Sequence, residues 1–462
     1  MRTRVWMSVL LGALTVGVHS LAISAEPKAA ATAARPAAPA AKPADTFKKM
    51  LAPVVLKDGD SFVFLGDSIT HQCLYTQYVE DYYYTRYPKL RIRFHNAGIG
   101  GDRAADALAR FDGDVAVHKP RYVTILLGMN DGGYRDFDKA IFDTYQKDMT
   151  ELLDRLAKIG AVAVPMTPTM YDSRADRLRG KGAQPRDTYY NGVLALYGAW
   201  LREMAQDRGL GFVDMYWPLN QLTLAERRKD ALFTLIKDAV HPDAPGQVIM
   251  AAAILNDLCA HSSVSSITIQ HTAGKPAALA ANGRISDFQA DGDALRFTFT
   301  ANALPWVLPP EAMPGYQLIH AGHRYGVESF TARNLKAGKY ELKIDGQSVG
   351  AWSDAQLAFR VELEANEKTP QYQQALRVAL LNKERNEKAV RPLRNLWLQV
   401  KIWRQRVASQ PDKKEALARW MAEEFQPGVA KLEALAKDYE EQIYQANQPT
   451  ARKYELIRLN GS

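Results

Sequence analysis

Residues 62–70, FVFLGDSIT, run four apolar residues into Gly66, Asp67 and Ser68 and then into a segment with helical spacing. A short apolar run closed by glycine is the pattern of a strand buried on both faces. Ser68 leaves two readings open. It could cap the backbone N–H groups of the helix that follows. Alternatively it is a nucleophile, which would need a base and a third group to hold that base.

Further strand candidates follow at 92–98 (IRFHNAG), 122–128 (YVTILLG) and 161–168 (AVAVPMTP), with a weaker one at 211–215 (GFVDM). Helical spacing falls between them near 72–86, 104–118, 138–159 and 188–207, and again near 245–260. Continuous apolar strands alternating with helices predict a doubly wound parallel sheet in a three-layer α/β/α arrangement, with ligands at the carboxyl ends of the strands. After 262 the texture changes to short alternating strands, with Asp291-Gly292 and Asp345-Gly346 at hairpin turns. Residues 263–365 are expected to be β-rich. Residues 366–462 read as helical, with the charged residues forming a solvated face and Trp397, Trp403 and Trp420 in the core.

The 462-residue chain starts with two arginines, an apolar stretch and small residues, the layout of a secretory signal over 1–25. An Ala/Pro-rich linker follows over 26–50 and has no amphipathic period. Export to the periplasm or the medium is therefore expected. No later stretch is apolar enough to span a bilayer. Of the net charge of +8, two charges lie in 1–25 and three in 26–50, which leaves three for the folded part. That balance gives no reason to expect a nucleic-acid surface.

One histidine is well placed to serve Ser68. In KDAVHPDAPGQ, His241 follows Asp238 by three residues, so a turn lets the carboxylate reach one ring nitrogen and leaves the other free. Pro242 keeps His241 on a loop ahead of the last helix. Two more loops at strand ends could stabilise an oxyanion. NAGIGGD brings Gly98, Gly100 and Gly101, and ILLGMND brings Asn130. The spacing is not that of a dinucleotide-binding glycine loop, since Arg103 stands where the last glycine would be. Each loop alone is ordinary. Four of them, each following its own strand, are not.

GDS at 66–68, GIGGD, GMND at 128–131 and DAVHP at 238–242 resemble, in order and spacing, the four blocks of the SGNH (GDSL-type) hydrolases. The resemblance covers about 60–260 and frames a catalytic domain over 51–262. It implies a flavodoxin-like sheet and hydrolysis of esters, thioesters or acetylated sugars without a cofactor or metal. It also implies Ser68 as nucleophile, His241 as base and Asp238 as its orienting acid. Ser68 N–H, Gly101 N–H and the Asn130 side chain would be the oxyanion donors. Activity should then fall in acid, because His241 must be neutral to act. Ile69 stands where the family name has leucine.

Asp102 and Arg103 are candidate substrate contacts. Asp67 and Asp131 read as turn and cap residues, Asp243 as a helix start, His71 as structural or pocket-rim, and Tyr75 as a helix-packing residue that could line the pocket. In this fold the first and last helices are neighbours, so Cys73 and Cys259 could form a disulfide; two separate buried thiols are the alternative. The expected substrate is an ester, by resemblance an acetylated glycan. A short-chain carboxylesterase or lysophospholipase is the second reading, and a non-catalytic glycan-binding or envelope scaffold the rival from another class.

Overall fold

The computed structural model describes residues 49–50, 53–178, 189–259, 263–272 and 275–459. The expected signal segment over 1–25 and nearly all of the linker over 26–50 lie outside these residues. Strand β1 (Ser61–Gly66) is buried along its whole length. It pairs in parallel with β2 (Arg93–Gly98) on one side and β3 (Tyr122–Leu126) on the other, and β3 pairs with β4 (Val162–Pro165). The weak candidate at 211–215 contributes one parallel bridge, Met166 to Val213, beyond β4.

The strands read as continuous apolar runs because successive side chains enter different cores. Phe62 and Phe64 pack with helices α2 (Leu74–Arg86) and α8 (Ala244–Leu258). Val63 and Leu65 pack with α3 (Ala104–Asp114), α4 (Lys139–Lys158) and α6 (Tyr190–Arg208). This is the expected flavodoxin-like sheet covered on both faces, in the order β2-β1-β3-β4. The chain leaves β2 and returns on the far side of β1, so the crevice opens at the carboxyl ends of β1 and β3. Short helices α1 (Ser68–His71), α5 (Ser173–Leu178) and α7 (Tyr216–Glu226) complete this layer.

The β-rich region comprises β5 (Ser265–Thr272), β6 (Lys275–Ala281), β7 (Gly283–Asp291) and β8 (Ala294–Ala301), then short helices α9 (Met313–Leu318) and α10 (Ala321–Tyr325). It continues through β9 (Glu328–Ala332), β10 (Lys339–Ile344), β11 (Gln347–Ser353), α11 (Asp354–Phe359) and β12 (Val361–Glu362). Both Asp-Gly pairs sit at hairpin turns as expected; Asp345 and Gly346 have φ of +53° and +81°. Helices α12 (Pro370–Arg385), α13 (Arg391–Ser409), α14 (Lys414–Trp420) and α15 (Gln426–Ala446) follow. A π-turn at Asn386–Val390 joins α12 to α13.

The helical reading of 366–462 stops short of the end. Residues Arg452–Leu459 form strand β13, the centre of a five-stranded sheet ordered β11-β10-β13-β8-β7. Its Tyr454 and Leu456 face a core shared with Ile267 and Ile269 of β5 and Phe330 of β9, from a second sheet ordered β12-β9-β5-β6. The last strand of the chain therefore closes the β-rich region.

The charged face of the helical region is not a solvated face throughout. Arg385 and Arg394 are buried, and Asn382 donates to Asp81 of α2 at 2.8 Å. Trp397, Trp403 and Trp420 are only partly buried and pack around Phe425 or on one another, outside the main core.

The disulfide reading is overturned. Both cysteines are free and buried. Helices α2 and α8 are neighbours as expected, but they run in the same direction. Gln247, at the start of α8, accepts from the N–H of Tyr75 at the start of α2, while Cys259, past the end of α8, meets the hydroxyl of Tyr83. Cys73 precedes α2, so most of a 13-residue helix, rising about 1.5 Å per residue, lies between the two sulfurs. Burial pushes Cys73 up to about 12 and Cys259 up to about 11, which leaves neither a ready thiolate.

Candidate active site

Asp67, not Ser68, caps helix α1: its carboxylate accepts from the N–H of Ile69 at 2.9 Å. Ser68 is the first residue of that helix and is partly exposed, with its N–H unpaired among the described residues. Its hydroxyl donates to His241 Nε2 at 2.7 Å. The Nδ1–H of His241 donates to Asp238 at 2.6 Å, which fixes the tautomer that leaves Nε2 able to accept.

The three-residue spacing works because Asp238 also closes its own turn, accepting from the N–H groups of Val240 and His241 at 3.0 and 2.7 Å. Partial burial pushes the Asp238 carboxyl upward, but the His241 N–H, the ring and the Val240 N–H outweigh it, and the group lies below its usual range. It stays anionic at neutral pH and can stabilise an imidazolium. An imidazole held in this way can take a proton from a hydroxyl and return it.

Asn130 follows β3. One of its amide hydrogens donates to the carbonyl of Asp102 at 3.1 Å, its oxygen accepts from Tyr134, and its contact with Asp67 is long at 3.4 Å. Gly128 has φ of +123°, and a Cβ there would lie 2.6 Å from Pro168, so the loop that aims Asn130 needs glycine. Asp131 accepts from the N–H groups of Gly128 and Ala104 and so ties the Asn130 loop to the glycine loop. Gly101 has φ of +70°, and its N–H is unpaired among the described residues. Ser68, His241, Asp238, Asn130 and the glycine loop thus gather at one sheet edge.

Residues 64–249 match the GDSL-like Lipase/Acylhydrolase family. The chain is 28% identical over 226 residues to an acetylxylan esterase of Geobacillus stearothermophilus, covering 43% of this chain and 94% of that protein. A solved structure of a gut microbial diltiazem-metabolizing enzyme is 27% identical with a TM-score of 0.77 and covers 89% of this chain and 100% of that one. Its match extends through the β-rich and helical regions as well as the sheet. Crystal structures of the Geobacillus acetylxylan esterase Axe2 cover 44% of this chain and 95% of theirs, at 26% identity and a TM-score of 0.35. Residues 64–249 are an SGNH/GDSL-type carboxylic ester hydrolase domain within a larger fold.

In this hydrolase one candidate substrate contact proves to lie elsewhere. Asp102 is fully buried, with its carboxylate held by Arg110 at 2.7 Å and Lys401 at 2.9 Å, so it supports the glycine loop and is out of reach of a substrate. Tyr75 is fully buried and bonded to Thr70, which bears out its reading as a helix-packing residue. Arg103 is exposed beside the site and stays a candidate contact. His71 is structural: its Nδ1 accepts from Gly100 N–H at 3.2 Å and its Nε2–H donates to Asn395 at 3.0 Å. Asp243 caps α8 as expected.

Sequence reasoning alone misses Tyr134, Arg110, Lys401 and Asn395. Arg110, on α3, also donates to the carbonyl of Ala97 and so grips the end of β2. An arginine on a helix between two aspartates at 102 and 114 is the one signal the sequence offers for it. Away from the site, His323, Glu362 and Glu364 have ligand atoms within 4.8 Å of one another. Glu362 there already pairs with Arg360 and His323, and Glu364 accepts from the N–H of Glu328.

Proposed function

We propose that this hydrolase is an exported serine esterase that removes acetyl groups from a carbohydrate through an acyl-enzyme on Ser68. The observation that carries the proposal is the unbroken hydrogen-bond chain from Ser68 through His241 to Asp238, at 2.7 and 2.6 Å. As Ser68 Oγ attacks the ester carbonyl carbon, its proton passes to His241 Nε2, and Asp238 stabilises the resulting imidazolium. The carbonyl oxygen becomes an oxyanion facing the N–H groups of Ser68 and Gly101 and the amide hydrogen that Asn130 releases from its long bond to Asp67. Collapse breaks the bond to the alcohol, which leaves with the proton from His241. Water, deprotonated by His241, then attacks the acyl-enzyme and frees the acid and Ser68.

The acetyl and carbohydrate parts of the reading draw on the acetylxylan esterase relative. Export draws on the basic, apolar and small-residue order of the first 25 residues. The test measures acetate released from acetylated xylo-oligosaccharides alongside turnover of 4-nitrophenyl acetate and octanoate. Release from the oligosaccharide and a strong preference for acetate are expected. Octanoate turnover matching acetate, with no release from the glycan, would replace the reading with a broad carboxylesterase.

A further inference from the structure

Gly101 offers its N–H from a loop with two adjacent glycines, which have more backbone freedom than any other pair. Preorganised donors are the ones that lower a barrier, so this loop must be held. Its fastenings lead away from the catalytic layer. Gly100 N–H donates to His71 Nδ1 at 3.2 Å, and His71 in turn donates from Nε2 to Asn395 on α13 at 3.0 Å. The ammonium of Lys401, also on α13, lies 2.9 Å from Asp102 and 3.2 Å from Asp106 and reaches the carbonyl of Gly100 at 3.5 Å. It would sit 3.9 Å from a Cβ on Gly101. Asp102 also accepts from Arg110, and its carbonyl accepts from Asn130.

Residues 394, 395, 401 and 404 fall on one side of α13. Arg394 there pairs with Asp114 of α3 at 2.8 Å, and Arg404 donates to the carbonyl of Ala109. The helix is therefore docked along α3 by its own charges and presents Asn395 and Lys401 to the loop. Burial disfavours protonation of His71, which keeps Nδ1 free to accept from Gly100.

We propose that Lys401 and Asn395, about 300 residues downstream of the loop, are positioning residues for ester hydrolysis: they hold residues 100–102 so that Gly101 N–H points at the oxyanion. This inference rests on the serine mechanism proposed above. It gives the helical region a part in the reaction itself, because the oxyanion loop is incomplete without α13.

The test uses the full-length protein and 4-nitrophenyl acetate, with kcat and KM measured per active site and Tm followed for each variant. Lys401→Met should lower kcat about tenfold or more while KM moves by less than about twofold, because a donor to the oxyanion acts in the transition state. Lys401→Arg should recover most of the loss. Asn395→Ala, at an exposed position where folding is not at risk, should lower kcat in the same sense. Affinity for an acetone-derived or boronic transition-state mimic should fall in step with kcat.

If Ser68→Ala abolishes turnover while folded Lys401→Met and Asn395→Ala keep the wild-type kcat, the positioning role is wrong and the serine mechanism stands. Loss confined to KM, or loss of Tm with unchanged kcat per active site, overturns it equally. Turnover surviving in Ser68→Ala overturns the mechanism beneath it.

Discussion

At the scale of single residues, the site joins the Ser68 hydroxyl, bonded to His241, to a buried carboxyl one residue before it. Burial, helped by the nearby Asp131 and Asp102, pushes Asp67 up to about 7, and burial pushes Asp131 up to about 6. The folded chain thus holds protons that the unfolded chain, with aspartates near 4, gives up. Stability from Asp67 is present in acid and declines as pH rises from about 4 to about 7, then levels off. Asp67→Asn should therefore gain Tm relative to the wild type as pH goes from 5 to 8. A difference in Tm that does not change with pH would show that Asp67 ionises normally. Asp238→Asn removes the anion that faces the imidazolium and should cost at least about 10²-fold in kcat, with little change in KM, by steady-state kinetics. Ser68 and Asn130 can be picked out in the sequence because each follows a buried strand, and Asp238 and His241 because they stand three apart in the turn before α8. Asp102 is easily misread, because its exposed neighbours at 101 and 103 give no sign that its side chain turns inward to Arg110 and Lys401.

At the scale of elements, the parallel sheet is legible because β1, β3 and β4 are buried almost throughout on both faces, and a run such as FVFLG has few other uses. Strand β13 is not. The alternation of Tyr454 and Leu456 within RKYELIRL is overshadowed by about 80 residues of helical spacing before it, and its partners β8 and β10 lie more than a hundred residues upstream. A chain ending at residue 450 would strip β8 and β10 of their common partner and expose two long edges. Such a truncation should lower soluble yield sharply and lose the wild-type Tm; a truncation that folds like the full chain would refute the central place of β13. The charged stripe of α13 shows the same limit, since arginines and lysines at helical spacing look alike whether they meet water or a buried aspartate. Arg394→Met leaves Asp114 buried with Arg110 as its remaining partner, and by thermal or denaturant unfolding should cost about 1–3 kcal/mol.

At the scale of the whole molecule, the helical region packs on α2, α3 and the edge strand β2, and the β-rich region is completed by the chain's last strand. The sheet and its loops therefore work inside a larger frame. The match to the diltiazem-metabolizing enzyme over 89% of this chain, against 43% for the acetylxylan esterase, follows the same division. Two thiols should be found in denatured, unreduced protein by a colorimetric thiol assay, since Cys73 and Cys259 lie at opposite ends of parallel helices; none would mean a pairing this packing forbids. The proposed mechanism puts the covalent intermediate on Ser68. The most direct test is intact and peptide mass spectrometry after exposure to a fluorophosphonate. One phosphonyl adduct is expected, on the peptide containing Ser68, absent from Ser68→Ala along with its turnover of 4-nitrophenyl acetate. An adduct elsewhere, or full turnover in Ser68→Ala, would contradict it.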